Sequence, residues 1–197
     1  MKKLIFITGG ARSGKSRYAH TLALEHSPNP VYVATARVWD NEFRDRVDRH
    51  RRERDERWTT MEEEKQLSRL PLEGRTVVID CVTLWITNFF SELSSDVSSG
   101  SSSDVSSGST SDVSSGGSSR PVYDIDACFA SCKAEIDALL QQDAYLIVIS
   151  NEIGMGLHAD TEAGRKFTDL QGWVNQYLAA RADQVIFMIS GIPVTVK

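Results

Sequence analysis

Five short apolar runs, rich in β-branched residues, recur along the chain at 4–8, 31–34, 76–79, 145–149 and 185–189. None alternates with polar residues. Unbroken runs of this length suit strands covered on both faces, because successive side chains point to opposite faces and both faces are dry. The stretches between them carry helical patterns, beginning with residues 15–25, and residues 193–196 offer one more short strand. Strand and helix in alternation predict an α/β fold with a doubly wound, mostly parallel sheet flanked by helices. Functional residues of such a sheet gather at the C-terminal ends of its strands. Thr8, Thr35, Asp80, Asn151 and Ser190 hold those positions.

Residues 94–119 break the pattern. Ser-Asp-Val-Ser-Ser-Gly recurs from Ser95, Ser103 and Ser111, with almost nothing apolar to bury. So short and polar a repeat cannot build a solenoid core and predicts a flexible insert that the chemistry does not need. One carboxylate per repeat, Asp96, Asp104 and Asp112, supplies too few oxygens for a calcium site. The remainder of the 197 residues is expected to form a single domain spanning 1–197.

Composition adds exclusions. A net charge of -5 argues against a general nucleic-acid binder. The 3 cysteines, Cys81, Cys128 and Cys132, are too few for a disulfide framework and point to a reducing compartment. The apolar run after Met1 is too short for a secretory signal, and no run approaches a membrane span, so a cytoplasmic protein is expected.

The first strand runs directly into Gly9, Gly10, Ala11, Arg12, Ser13, Gly14, Lys15 and Ser16, the P-loop pattern with a strand before it and a helix after. The glycines let backbone N–H groups close round phosphate oxygens, and the following helix adds the positive end of its dipole. Lys15 brings a point charge to the β- and γ-phosphates, and the Ser16 hydroxyl faces Mg²⁺. Asp80 closes an apolar strand, the arrangement in which a carboxylate reaches the same metal directly or through water, although a strand can also end in Asp as a turn former.

Residues 40–58 are densely charged, and the spacing predicts a helix with Arg46, His50 and Arg54 on one face. Two readings stay open. One is a solvated helix laced with ion pairs. The other is an anion site in which the flanking guanidinium groups keep His50 neutral and nucleophilic. For Asn151 and Glu152, a turn-capping role and a metal or substrate contact weigh about equally. His20, His26 and His158 are expected at the surface, and the four tryptophans in the core or an interface.

Taken together, the stretches resemble one family. They are Thr8-Gly-Gly-Ala-Arg-Ser-Gly-Lys-Ser-Arg17, Tyr32-Val-Ala-Thr35, Arg46-Val-x-x-His50 and Trp58-x-Thr60-x-Glu62. Asp80-Cys-Val-Thr83, Thr87-Asn88, Asn151-Glu-Ile-Gly-Met-Gly156, Arg165-x-Phe-x-Asp169, Gly172-x-Val-Asn175-Gln176 and Ser190-Gly-Ile complete the set. In order and spacing they resemble the bifunctional adenosylcobinamide kinase / adenosylcobinamide-phosphate guanylyltransferases of cobalamin biosynthesis. The resemblance implies phosphorylation of adenosylcobinamide by a nucleoside triphosphate, ATP or GTP, with Mg²⁺. It then implies transfer of GMP from GTP to adenosylcobinamide phosphate through a GMP–histidine intermediate at His50. It further implies guanine-nucleotide contacts at Thr35, Ala36, Arg37, Arg51, Arg52, Glu53, Arg54, Glu62 and Asp80, and a homotrimer. The family position of Asp80 can be Glu, and the Ser-rich insert is no family feature. The competing readings are a P-loop kinase of another small metabolite and a non-catalytic GTP-binding module. The second lacks an Asn-Lys-x-Asp stretch to read guanine.

Overall fold

The computed structural model describes residues 2–37, 54–95 and 123–197. His50, Arg51, Arg52 and Glu53 lie outside the described residues, as does the repeat from Asp96 onward. The strands are β1 (Lys3–Gly9), β2 (Val31–Ala34), β3 (Thr59–Glu62), β4 (Thr76–Asp80), β5 (Tyr145–Ile149), β6 (Gln184–Ile189) and β7 (Ile192–Thr195). The helices are α1 (Lys15–His26), α2 (Val82–Ser95), α3 (Ile125–Leu139) and α4 (Glu162–Arg181), with a 3-10 turn at Leu67–Arg69.

All seven strands join one sheet in the order β3-β2-β4-β5-β1-β6-β7. Every pair is parallel except β6 with β7. The period of two sorts the apolar runs between two cores. Ile5, Ile7, Val78, Ile147 and Ile186 pack with Ala19 and Ala23 of α1. Leu4, Phe6, Val77, Leu146 and Val148 face the other way, onto α2, α3 and α4. Helices on both faces leave no wet side, which is why the strands read as unbroken apolar runs.

The structure departs from the sequence expectation in two places. β3 carries Thr-Thr-Met-Glu, with no apolar run, because it is an edge strand and most of it is exposed. The described end of the expected 40–58 helix, from Arg54 to Trp58, is not helical. There the Asp55 carboxylate accepts from the Arg57 backbone N–H at 3.1 Å and pairs with its guanidinium at 2.6 Å, a local closure that competes with helix.

Trp85 shows how α2 is fixed. Only 1% of it is exposed, its Nε1–H donates to the Lys65 carbonyl at 2.9 Å, and Phe89 meets it edge-on at 5.0 Å. Trp85→Ala should cost about 3–5 kcal/mol through lost burial and the cavity left behind. Urea denaturation should show a lower midpoint at unchanged slope, and Trp85→Phe should lose less.

Candidate nucleotide site

β1 ends inside the sheet, and the chain must turn at once to enter α1. Gly9 and Gly14 make the turn with φ of 149° and 91°, and Arg12 takes the left-handed region at 57°. A Cβ on Gly9 would lie 2.5 Å from the Met188 carbonyl oxygen, so only glycine passes. The loop is braced from both sides. The Glu152 N–H beyond β5 donates to the Gly9 carbonyl at 3.0 Å, and the Gly191 N–H donates to the Ser13 carbonyl at 3.0 Å. Gly191 belongs to the two-residue Ser190-Gly191 turn, where both φ values are positive, as a tight β6–β7 hairpin requires.

α1 starts at Lys15 with no side chain capping its N-terminus, which leaves its first N–H groups for an anion. Lys15 is 7% exposed, and its ammonium donates to the Gly9 and Gly10 carbonyls at 3.0 and 2.6 Å. Burial holds its pKa below the usual lysine range, against the raising influence of Cys81 and Asp80. Its hydrogen-bond partners, the Gly9 and Gly10 carbonyls and the Ser13 hydroxyl, are neutral, and a phosphate would supply the opposite charge.

Asp80 ends β4 and faces this lysine across the width of β5, which lies between β4 and β1. The register sets Ala34 beside both Asp80 and Glu62, so β2, β3 and β4 deliver Thr35, Glu62 and Asp80 to one edge. Thr35 is fully buried: its hydroxyl donates to the Cys81 carbonyl at 2.8 Å and accepts from the Cys81 N–H at 2.9 Å. Asn88 of α2 donates to the Thr35 carbonyl at 2.9 Å. Cys81 itself is buried, and its thiol is pushed up to about 12, so it stays protonated and no nucleophile.

Between the two halves of the site runs a buried polar chain. Gln171 donates to Ser150 at 2.8 Å, Ser150 to Asn175 at 2.6 Å, and Asn175 to the Asn151 carbonyl at 3.1 Å. Asn151 in turn donates to the Thr83 hydroxyl at 3.1 Å. The chain ties α4 to the end of β5 and to the start of α2. The Glu152 carboxylate accepts from the Gly154 N–H at 2.9 Å, the turn role of its two sequence readings. His20 is not simply a surface residue. It packs between Tyr32 and Trp58, with ring centroids 5.5 and 4.9 Å away.

The family model described as "Cobinamide kinase / cobinamide phosphate guanyltransferase" (CobU) matches residues 5–196. The chain belongs to this family. Its relatives include the bifunctional adenosylcobalamin biosynthesis protein CobU of Escherichia coli, 33% identical over 98% of this chain and 99% of that protein. The bifunctional adenosylcobalamin biosynthesis protein CobP of Pseudomonas aeruginosa is 33% identical over 97% of this chain and 95% of its own. The Salmonella typhimurium protein CobU, of the same description, is 31% identical over 98% and 99%. Among solved structures, the flagellar accessory protein FlaH from Methanocaldococcus jannaschii matches with a TM-score of 0.42 at 14% identity, covering 100% of this chain and 78% of that one. That likeness is too loose to add to the sheet order. No helix among the described residues is long and apolar enough to cross a membrane.

Of the site residues expected from the sequence, the structure brings Gly9 to Ser16, Thr35, Ala36, Arg37, Glu62 and Asp80 to the C-terminal ends of β1, β2, β3 and β4, while Arg54, which precedes β3, stacks on the Tyr32 ring. His50, Arg51, Arg52 and Glu53 fall outside the described residues. Tyr32 and Gly191 had no role assigned from sequence. Both fall in stretches that carry the family resemblance, but only Gly191 has a local signal, its hairpin pattern, that points to what it does.

Lys15→Met should abolish nucleotide binding yet stabilise the free protein at neutral pH. The folded-state pKa of Lys15 is lowered, so between that lowered value and 10.5 the unfolded chain binds more protons at this site and stability rises with pH. The advantage of the methionine variant should therefore shrink as pH rises towards 10.5, which thermal melts at several pH values would register. The two loop carbonyls that Lys15 leaves keep other donors, the Glu152 and Ser13 N–H groups.

Proposed function

We propose that this protein phosphorylates adenosylcobinamide and then transfers GMP from GTP to the resulting phosphate, giving adenosylcobinamide-GDP. One observation carries the reading: the braced P-loop and Asp80 face each other across β5, in a chain whose family is named for both reactions. In this reading Lys15 leaves the Gly9 and Gly10 carbonyls for the β- and γ-phosphates, and the first N–H groups of α1 hold the remaining phosphate oxygens.

The Ser16 hydroxyl and the Asp80 carboxylate form the sparse all-oxygen set that suits Mg²⁺, an ion that keeps most of its shell for water and phosphate. When bound, Mg²⁺ offsets the triphosphate's negative charge. ATP or GTP serves as phosphoryl donor, and GTP as guanylyl donor. Thr35, Ala36, Arg37, Arg51, Arg52, Glu53, Arg54 and Glu62 serve the guanine nucleotide. The Thr35 hydroxyl is already committed to Cys81, so its share falls to the backbone of that turn.

The guanylyl transfer proceeds in two displacements. His50 attacks the α-phosphorus of GTP, a P–N bond forms, and pyrophosphate leaves. The phosphate of adenosylcobinamide phosphate then attacks the same phosphorus, and the imidazole departs. Splitting the reaction this way avoids one direct meeting of two anions. The protein acts in the cytoplasm, as its free, buried cysteines suit, and as a homotrimer. The exposed apolar residues Ile192, Val194 and Val196 along the β7 edge are a surface that association would cover.

Incubation with GTP labelled at the α-phosphate, followed by denaturation, should leave acid-labile, base-stable label on the wild-type chain. His50→Ala should retain none and lose guanylyl transfer, while kinase turnover survives. Wild-type protein that never takes up label, with the alanine variant equally active in guanylyl transfer, sinks the histidine assignment.

A further inference from the structure

Tyr32 lies at the meeting point of the site's charges, although none of the motif reasoning gives it a role. Its side chain is 5% exposed and points to the α1 side of the sheet. His20 and Trp58 hold the ring edge-on, at centroid distances of 5.5 and 6.3 Å with interplanar angles of 80° and 84°. Such a ring has little rotational freedom left. The Arg54 guanidinium sits 3.8 Å from its centroid. Along the shared register of β2 and β4, Tyr32 pairs with Val78 and Asp80 stands two residue pairs further on, so both side chains fall on the same face of the sheet, and burial together with the Asp80 carboxylate holds the hydroxyl against ionisation.

Arg54 is placed with its hydrogen-bonding capacity unused. Its Nε and Nη1 atoms are shut from solvent and meet no acceptor among the described residues. Buried donors in folded proteins nearly always have partners, so a pair left open on a ring that packs against α1 is a place for a ligand's oxygens. A guanidinium stacked on an aromatic face keeps its N–H groups in plane and directed outward. The ring thus does what an acidic partner could not: it fixes the cation without consuming its donors.

We propose that Tyr32 is a positioning residue for the metal–nucleotide complex, its ring holding the Arg54 guanidinium and its hydroxyl orienting the Asp80 carboxylate. The inference rests on the reading above that Asp80 and Arg54 face the bound nucleotide. The two ends of one side chain then serve different parts of the ligand. The face serves the anion through Arg54, and the hydroxyl serves the cation through Asp80.

The test is binding of a fluorescent guanine nucleotide across a series of Mg²⁺ concentrations, for wild type, Tyr32→Phe and Tyr32→Leu. The phenylalanine variant keeps the stack and loses the hydroxyl. It should bind nucleotide normally at saturating Mg²⁺ but need about threefold to tenfold more Mg²⁺ for half-saturation, the scale of one hydrogen bond. The leucine variant loses both and should also bind nucleotide about tenfold more weakly at saturating Mg²⁺, the scale of a desolvated cation–π contact.

A merely structural tyrosine would lower the melting temperature and leave both constants alone. The proposal is overturned if Tyr32→Phe has the wild-type Mg²⁺ requirement, or if folded Tyr32→Leu keeps wild-type affinity. Phenylalanine fills the same space, so the experiment survives an unfolded leucine variant. Failure of the guanylyl-transfer reading looks different: wild type takes up no covalent label, while Mg²⁺-dependent binding still answers to Tyr32.

Discussion

Everything at the nucleotide site depends on the exit of the chain from β1. That strand lies between β5 and β6, so the loop after it has a neighbour on each side. Gly9 passes the Met188 carbonyl with no room for a Cβ, and its own carbonyl is taken by the Glu152 N–H. Four residues on, the hairpin turn at Gly191 holds the Ser13 carbonyl. The loop's shape is therefore set by two strands rather than by a ligand. A phosphate entering it meets N–H groups already in place, and the main local rearrangement is the release of Lys15 from two carbonyls. Preorganisation of this kind keeps the ordering cost of binding low.

The second constraint is the strand between. Because β5 separates β1 from β4, Asp80 stands two strand spacings, about 10 Å, from the P-loop strand. An adjacent strand would bring the carboxylate against the loop itself. With one strand intervening there is width for phosphates and a hydrated cation. That width is maintained by the polar chain from Gln171 through Ser150, Asn175 and Asn151 to Thr83, which locks the end of β5 to the start of α2. Apolar packing there would be cheaper, but it would not fix direction. Hydrogen-bonded side chains specify one arrangement of the strand ends, and the site needs one.

The sheet was legible because both its faces are buried: five runs of β-branched and apolar residues stand out against any background. β3 was not, because an exposed edge strand of Thr-Thr-Met-Glu lacks the apolar signal that burial imposes. Sheet order was not legible either. Nothing local in Tyr145 to Ile149 says that it slides between β1 and β4, since that follows from which helix packs on which face. At the site, the P-loop could be read from its glycines, as a backbone requirement leaves a residue-type signature. Tyr32 could not: the role proposed for it comes from Arg54, Asp80, His20 and Trp58, brought to it from three other segments. Long-range juxtaposition of ordinary residues is what a single sequence hides.

These groups share an energetic character. Lys15 is buried and its charge disfavoured there, Arg54 holds two buried donors without acceptors among the described residues, and Tyr32 is pushed by burial and by Asp80 to resist ionisation. None is what a stable free protein would choose, since buried charge and unpaired donors both cost stability. Lys15 opens the helix that follows the braced loop, and Arg54 stacks on Tyr32, whose ring packs against His20 of that same helix. In the proposed reading a single anionic ligand with its cation would relieve them together, phosphate oxygens pairing with the lysine and the arginine and the cation with the carboxylate. Binding to the folded state alone then returns stability by mass action. Relief of these buried groups is thus one contribution to the affinity for a triphosphate.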